Sequence, residues 1–168
     1  LLAAVRAFFL EGPGASEPAL QDTREAVRLV LRCSNTGNER LVALRGLAGP
    51  FATAADFARA AADADPGLVG VVRLVASRGR RGGAAVETIA GRDWISEEIH
   101  GVAFRVPAGT FLQVHASAAE QLGGHVLEGA GSPRRVLELY GGIGALGLAL
   151  ARRGARATIV DADGAAIA

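Results

Sequence analysis

The chain has 168 residues, is half hydrophobic and carries a formal net charge of +1, enough to bury one ordinary domain, or a small one and part of a second. The near-zero charge excludes a global basic field of the kind that marks many nucleic-acid binders, although all 18 basic residues are arginine. One cysteine, Cys33, excludes a disulfide framework and a cysteine metal quartet, and no metal site is expected. In chain order, Leu1–Leu10 reads as a helix, broken by "EGPGASEP". "AVRLVLR" and "ERLVALR" flank turn chemistry at Asn35–Asn38 and predict a β-hairpin. Thr53 with Asp56 resembles a capping box opening an alanine-rich helix, which Pro66 and Gly67 end. "LVGVVRLVAS" and "AAVETIAG" are strands around the loop "RGRRGG". "DWISEEIHGVAFRVPAGTFLQV" gives further short strands, broken at His100-Gly101 and at Pro107. Strands paired by hairpins plus one helix predict an α+β domain over residues 1–114.

A new regime starts with Ser117 and Glu120, a second capping box, opening a helix to about Glu128. "RRVLELY", a glycine turn, "ALGLALARR", Gly154 as a C-terminal stop and "ARATIVD" then make a strand–helix–strand unit. Residues 115–168 therefore read as the opening β-α-β unit of a doubly wound, Rossmann-like sheet. Two strands of such a sheet leave a face to be covered.

Gly142, Gly144 and Gly147 fit G-x-G-x-x-G, where glycines let backbone approach a ligand at a helix N-terminus. Glu138 sits near the carboxyl end of the first strand and Asp161 ends the second, both expected to face the crevice above the strand ends. A carboxylate at Asp161 suits ribose hydroxyls. Glu138 suits a cationic ligand and repels a pyrophosphate at short range. The pair favours S-adenosyl-L-methionine, with its ribose, ammonium and sulfonium, over NAD.

"GVAFRVPAGTFLQVHASAAEQL" followed by "VLELYGGIGALGLALA" resembles the RNA 5-methyluridine methyltransferases, adenosylmethionine-dependent enzymes that methylate C5 of uridine in transfer or ribosomal RNA. The matching residues are Phe111, Gln113 and Val114 of a strand-ending F-x-Q-V, and Glu138, Leu139, Tyr140, Gly142 and Gly144 of the loop. "GRDWISEEIHG", "VRLVLRCSNTGNERLVAL" and "PGLVGVVRLVAS" are similar to the family's central domain, so the resemblance spans nearly the whole chain. It implies a class I methyltransferase fold. It also implies that Gln113 reaches the cofactor by its amide, that Tyr140 lines the amino-acid moiety, that Ala145 touches the cofactor and that Asp161 holds the ribose. Three positions depart from the pattern: Gly141 replaces Cys, His115 replaces Asn and Glu138 replaces Asp.

The family's chemistry implies a cysteine thiolate that adds to C6 of uracil and a carboxylate base that removes the C5 proton. Neither is expected within this chain, since Cys33 matches no such position, and the chain alone is expected to be inactive. No methionine is present, and both ends are expected to be cut points. No membrane segment or signal peptide is visible, so a cytoplasmic protein is expected; the resemblance implies RNA as partner, and a monomer is expected. Arg78, Arg80 and Arg81 in the loop at Ser77–Gly83 suit phosphate contact, although a solvated loop explains them as well. The alternatives left open are a methyltransferase on another substrate and an NAD-binding Rossmann module.

Overall fold

A computed structural model describes residues 1–16, 28–35, 37–45, 49–76 and 84–167. The arginine loop at 77–83 and the start of the first strand's apolar run, Ala26 and Val27, lie outside the described residues. The chain forms two compact units, Leu1–Ile95 and Ser96–Ala168.

The first unit contains helix α1 (Leu2–Leu10), strands β1 (Arg28–Cys33) and β2 (Arg40–Arg45), helix α2 (Ala54–Ala64), and strands β3 (Leu68–Ala76) and β4 (Ala84–Gly91). Their sheet order is β1-β2-β3-β4. The β1–β2 and β3–β4 pairs are antiparallel, as the hairpin reading expects. Between them β2 and β3 run parallel, which the sequence reading did not anticipate. The physical reason is α2: a parallel pair needs a crossover of a dozen or so residues, and this helix supplies it. Central β2 is buried from Leu41 to Leu44, whereas β1 at the edge leaves Val30 and Leu31 exposed.

The core between α1, α2 and the sheet is built from Val5, Phe8, Val42, Leu44, Phe57, Ala58, Ala61 and Val71. Phe57 is its centre, with ring centroids 5.3 Å from Phe8 and 5.0 Å from Phe9. Polar anchors fix the connections. Arg40 Nε donates to both carboxylate oxygens of Asp65, at 3.0 and 2.8 Å. That hydrogen bond holds Asp65 below the usual carboxylate range. Arg73, almost wholly buried, pairs with its cross-strand neighbour Glu87 and donates to Gly49 O at 2.6 Å. Thr53 occupies the N-cap of α2, but its side chain makes no cap bond, and Asp56 lies 3.3 Å from Arg59 instead. The capping box is thus not formed there.

The division between the units falls within β5 (Trp94–Ile99), which pairs with β6 (Val102–Pro107). His100 and Gly101 both have positive φ, 50° and 73°, the backbone that tight hairpins of this twist require. The expected strand through Phe111–Val114 does not form. Thr110 N–H donates to Pro107 O in a turn, and residues 111–114 run on without a ladder partner.

Helix α3 (Ala116–Ala130), strand β7 (Arg135–Leu139), helix α4 (Ala145–Arg152), strand β8 (Arg156–Val160) and helix α5 (Gly164–Ile167) complete the second unit. The cap of α3 is His115, not Ser117: its Nδ1 accepts from Ala118 N–H at 3.2 Å. Imidazole nitrogen here does what an Asn side-chain oxygen does at an N-cap, which accounts for the departure at that position. Glu120 reaches back to His100 Nδ1, 3.2 Å away. β7 and β8 pair in parallel across α4, as expected of a β-α-β unit. One face packs Val136 and Ala155 with Leu127, Ala149 and Leu150. The other leaves Leu137, Leu139 and Val160 exposed. The compact second unit takes in hairpin strand β6 because Val102 packs into this same core, whereas the change of regime along the sequence falls after residue 114.

Candidate functional site

The loop from Tyr140 to Gly144 joins the end of β7 to α4. Tyr140 leaves the strand with φ 57°, a conformation uncommon for a residue with a side chain and typical of functional turns. Its ring is thrown almost wholly into solvent, 91% exposed. Gly142 and Gly144 follow at φ 55° and 76°.

Each glycine is required for a different reason. A Cβ on Gly144 would lie 2.7 Å from Ile159 Cδ1, so this position needs both its backbone and its empty space. A Cβ on Gly142 would meet nothing within 4 Å, and only its φ matters. Gly141 would place a Cβ 2.6 Å from Ile159 Cγ2. Glycine there matches the bulk of Ile159 beneath it.

The N–H groups of the three loop glycines all have acceptors. Gly141 N–H donates to Val160 O at 3.2 Å and Gly144 N–H to Gly141 O at 2.8 Å, tying the loop to β8 and to itself. Gly142 N–H donates to Asp161 Oδ2 at 2.7 Å. Asp161 Oδ1 accepts from Asp163 N–H at 2.8 Å. These bonds, Asp163's first, hold the Asp161 carboxyl below the usual range for an aspartate. Gly147 N–H donates to Glu138 Oε2 at 2.8 Å.

The structure therefore brings Asp161, Gly142 and Gly144 into one loop assembly, with Ala145 half-buried at the first helical turn. Glu138 departs from the expectation that it faces the crevice. It lies on the α4 side of β7, between the outward-facing Leu137 and Leu139, with its carboxylate under the loop. Gln113 is exposed in the irregular segment before α3, and no hydrogen bond joins it to the glycine loop. An open cleft of about 340 Å³ lined by Arg135, Val136, Leu137, Arg156 and Thr158 contains none of these residues. Cys33 is exposed in the first unit. Among the described residues no group of three or more His, Cys, Asp or Glu is placed to hold a metal ion, and no helix is long and apolar enough to cross a membrane.

Sequence reasoning missed two features: the positive φ of Tyr140 and the inward turn of Glu138. The third glycine of the pattern, Gly147, carried the trace of the second. A Cβ there would lie 2.6 Å from Glu138 Oε2.

No protein-family model matches the chain. Over 79 residues it is 40% identical to an uncharacterized RNA methyltransferase of Gloeobacter violaceus, a match covering 46% of this chain and 17% of that protein. Over 68 residues it is 35% identical to an uncharacterized RNA methyltransferase of Caldanaerobacter subterraneus, covering 39% of this chain and 15% of the relative. The matched stretch thus spans about a sixth of the length of these curated relatives. The solved tRNA (uracil-54, C5)-methyltransferase of Pyrococcus abyssi, in complex with S-adenosyl-L-homocysteine, aligns with a TM-score of 0.65 at 23% identity over 84% of this chain and 34% of that one. That likeness establishes the fold as a mixed α/β architecture shared with a methyltransferase.

Proposed function

We propose that this chain is part of an S-adenosyl-L-methionine-dependent methyltransferase acting on RNA, and that the atom modified is C5 of uridine in ribosomal or transfer RNA. The observation that carries the cofactor reading is the destination of the loop's N–H groups. In a dinucleotide fold such donors face a pyrophosphate. Here the loop's Gly142 donates to the Asp161 carboxylate, whose charge repels a phosphate brought to the same place. A ligand with a ribose and a cationic end, and no phosphate, suits this arrangement.

The residues present fit that cofactor. An ionised carboxylate offers about four acceptor directions. Asp161 uses one on each oxygen for Gly142 and Asp163, leaving acceptors for both ribose hydroxyls. Gly142 and Gly144 allow close backbone approach, and Ala145 keeps the helix start small. Tyr140 would line the amino-acid moiety, and Gln113 would reach the cofactor by its amide. When bound, the cofactor supplies a methyl group activated by a sulfonium. The residues that activate uracil are assigned to no position here. In this reading residues 1–114 form the central α+β domain and residues 115–168 open the cofactor domain of a cytoplasmic, monomeric enzyme. The RNA substrate is supported by the two relatives, and C5 of uridine by the F-x-Q-V and E-L-Y-G-G-x-G segments in their order.

Titration calorimetry of the chain with S-adenosyl-L-homocysteine and with NAD tests the cofactor. Binding of the first and not the second is expected, and the reverse overturns the reading. Nucleoside analysis of RNA labelled by the gene product that carries this chain tests the substrate. Label in 5-methyluridine is expected, and label confined to another nucleoside refutes the C5 assignment.

A further inference from the structure

We propose that Glu138 is a positioning residue, which caps helix α4 from the neighbouring strand and shapes the glycine loop from beneath without touching the cofactor. The proposal rests on the cofactor reading above. The first N–H groups of a helix lack intrahelical partners and are ordinarily served by a side chain at the N-cap. Helix α4 has glycine at that position: Gly144 is its N-cap, in the left-handed region, with no side-chain bond to give. Gly147, the third residue of the helix, is buried. Its N–H is the one a capping side chain normally accepts, and here Glu138 Oε2 accepts it at 2.8 Å. The left-handed backbone that the loop needs has removed the local cap, and an acidic residue on β7 replaces it. Negative charge at this end of the helix also opposes the helix dipole favourably.

The same side chain sets the floor of the loop. A Cβ on Gly141 would lie 3.1 Å from both Glu138 Cγ and Cδ, and one on Gly147 would lie 2.6 Å from Oε2. Ile159 shares that floor, at 2.6 Å from the Gly141 position and 2.9 Å from the Gly147 position, so glycine at both is the complement of Glu138 and Ile159 together. The strand pattern agrees, since Glu138 faces the helix while its neighbours Leu137 and Leu139 face the other way. The carboxylate that stays available to a ligand is Asp161, held on the loop by Gly142. The two acids divide the work: Glu138 orders the loop, and Asp161 meets the ribose.

The variants Glu138→Gln and Glu138→Ala separate this from a direct charge contact with the cofactor. Glutamine keeps an acceptor and loses the charge. Two readouts are taken on the whole 168-residue chain: calorimetric affinity for S-adenosyl-L-homocysteine, and amide hydrogen exchange at Gly147. Expected for Glu138→Gln is affinity within about threefold of the parent and retained protection at Gly147. Expected for Glu138→Ala is an affinity loss of about tenfold with faster exchange at Gly147. Glu138→Leu, which fills the space under the loop without an acceptor, reproduces the affinity loss and the faster exchange and serves if Glu138→Ala fails to fold. Equal affinity losses in the Gln and Ala variants, with Gly147 exchange unchanged in both, overturn the proposal in favour of direct contact. If the parent binds neither S-adenosyl-L-homocysteine nor S-adenosyl-L-methionine, the cofactor reading fails. The cap still stands or falls on Gly147 exchange alone.

Discussion

Replacing Gly144 with alanine adds one methyl group where two separate constraints meet, and the structure allows each to be weighed. The backbone sits at φ 76°, and an L-residue in the left-handed region costs roughly 1–2 kcal/mol. The new Cβ would also lie 2.7 Å from Ile159 Cδ1, with Cγ2 at 3.5 Å and Cγ1 at 3.7 Å, an overpacking that costs roughly 1–3 kcal/mol. Together they predict a loss of about 2–5 kcal/mol in the second unit. Because the chain has two compact units, a global melt mixes their contributions. Native-state hydrogen exchange at Leu148, whose N–H donates to Gly144 O at 2.9 Å, reads the local loss directly. Two further variants split the total. Ile159→Val removes Cδ1, the atom in the clash, and in the Gly144→Ala background recovers the steric share while leaving the backbone share. Gly144→Asn tolerates the left-handed region better and keeps the clash. A Gly144→Ala loss below about 0.5 kcal/mol, or no coupling with Ile159→Val, refutes the reasoning.

Asp161→Ala is expected to weaken S-adenosyl-L-homocysteine roughly tenfold or more, read by calorimetry; an unchanged dissociation constant removes Asp161 from the site. The acid limb of stability is set in part by Asp65 and Asp161, whose folded pKa values lie below the ordinary 3.8. Their contribution is complete above that value and is lost as pH falls through the depressed ones. Asn at both positions therefore flattens the fall in urea midpoint between about pH 5 and pH 2, and a parallel fall in parent and variant contradicts the assignment. His115→Ala is expected to cost about 0.5–2 kcal/mol through loss of the α3 cap. His115→Asn restores it, as protection of the Ala118 amide reports. The 168-residue chain alone is expected to transfer no methyl group to uridine-containing RNA, given the open face at Leu137, Leu139 and Val160. Incorporation of labelled methyl by this chain shows otherwise.

Local rules act over a few residues, and what they govern was legible. The alternation of β7 and β8, the glycine spacing and Gly154 after α4 define the β-α-β unit, because a strand, a tight turn and a helix stop are each encoded in their own segment. The β3–β4 pairing and the helix at Ala54–Ala64 followed from pattern in the same way. Wherever a second, distant segment takes part, the sequence alone was silent or misleading. Parallel pairing of β2 with β3 depends on where α2 returns the chain. Phe111–Val114 has a strand's composition and no neighbour to pair with. The caps show the principle most sharply. Ser117 and Glu120 match a capping motif, yet His115 takes the bond because the helix starts two residues earlier and Glu120 is drawn to His100. Glu138 looked like a crevice residue from its place at a strand end. Only the packed positions of α4 and Ile159 turn it beneath the loop, because an unpaired helix N–H and the space left by two missing β-carbons lie on that side.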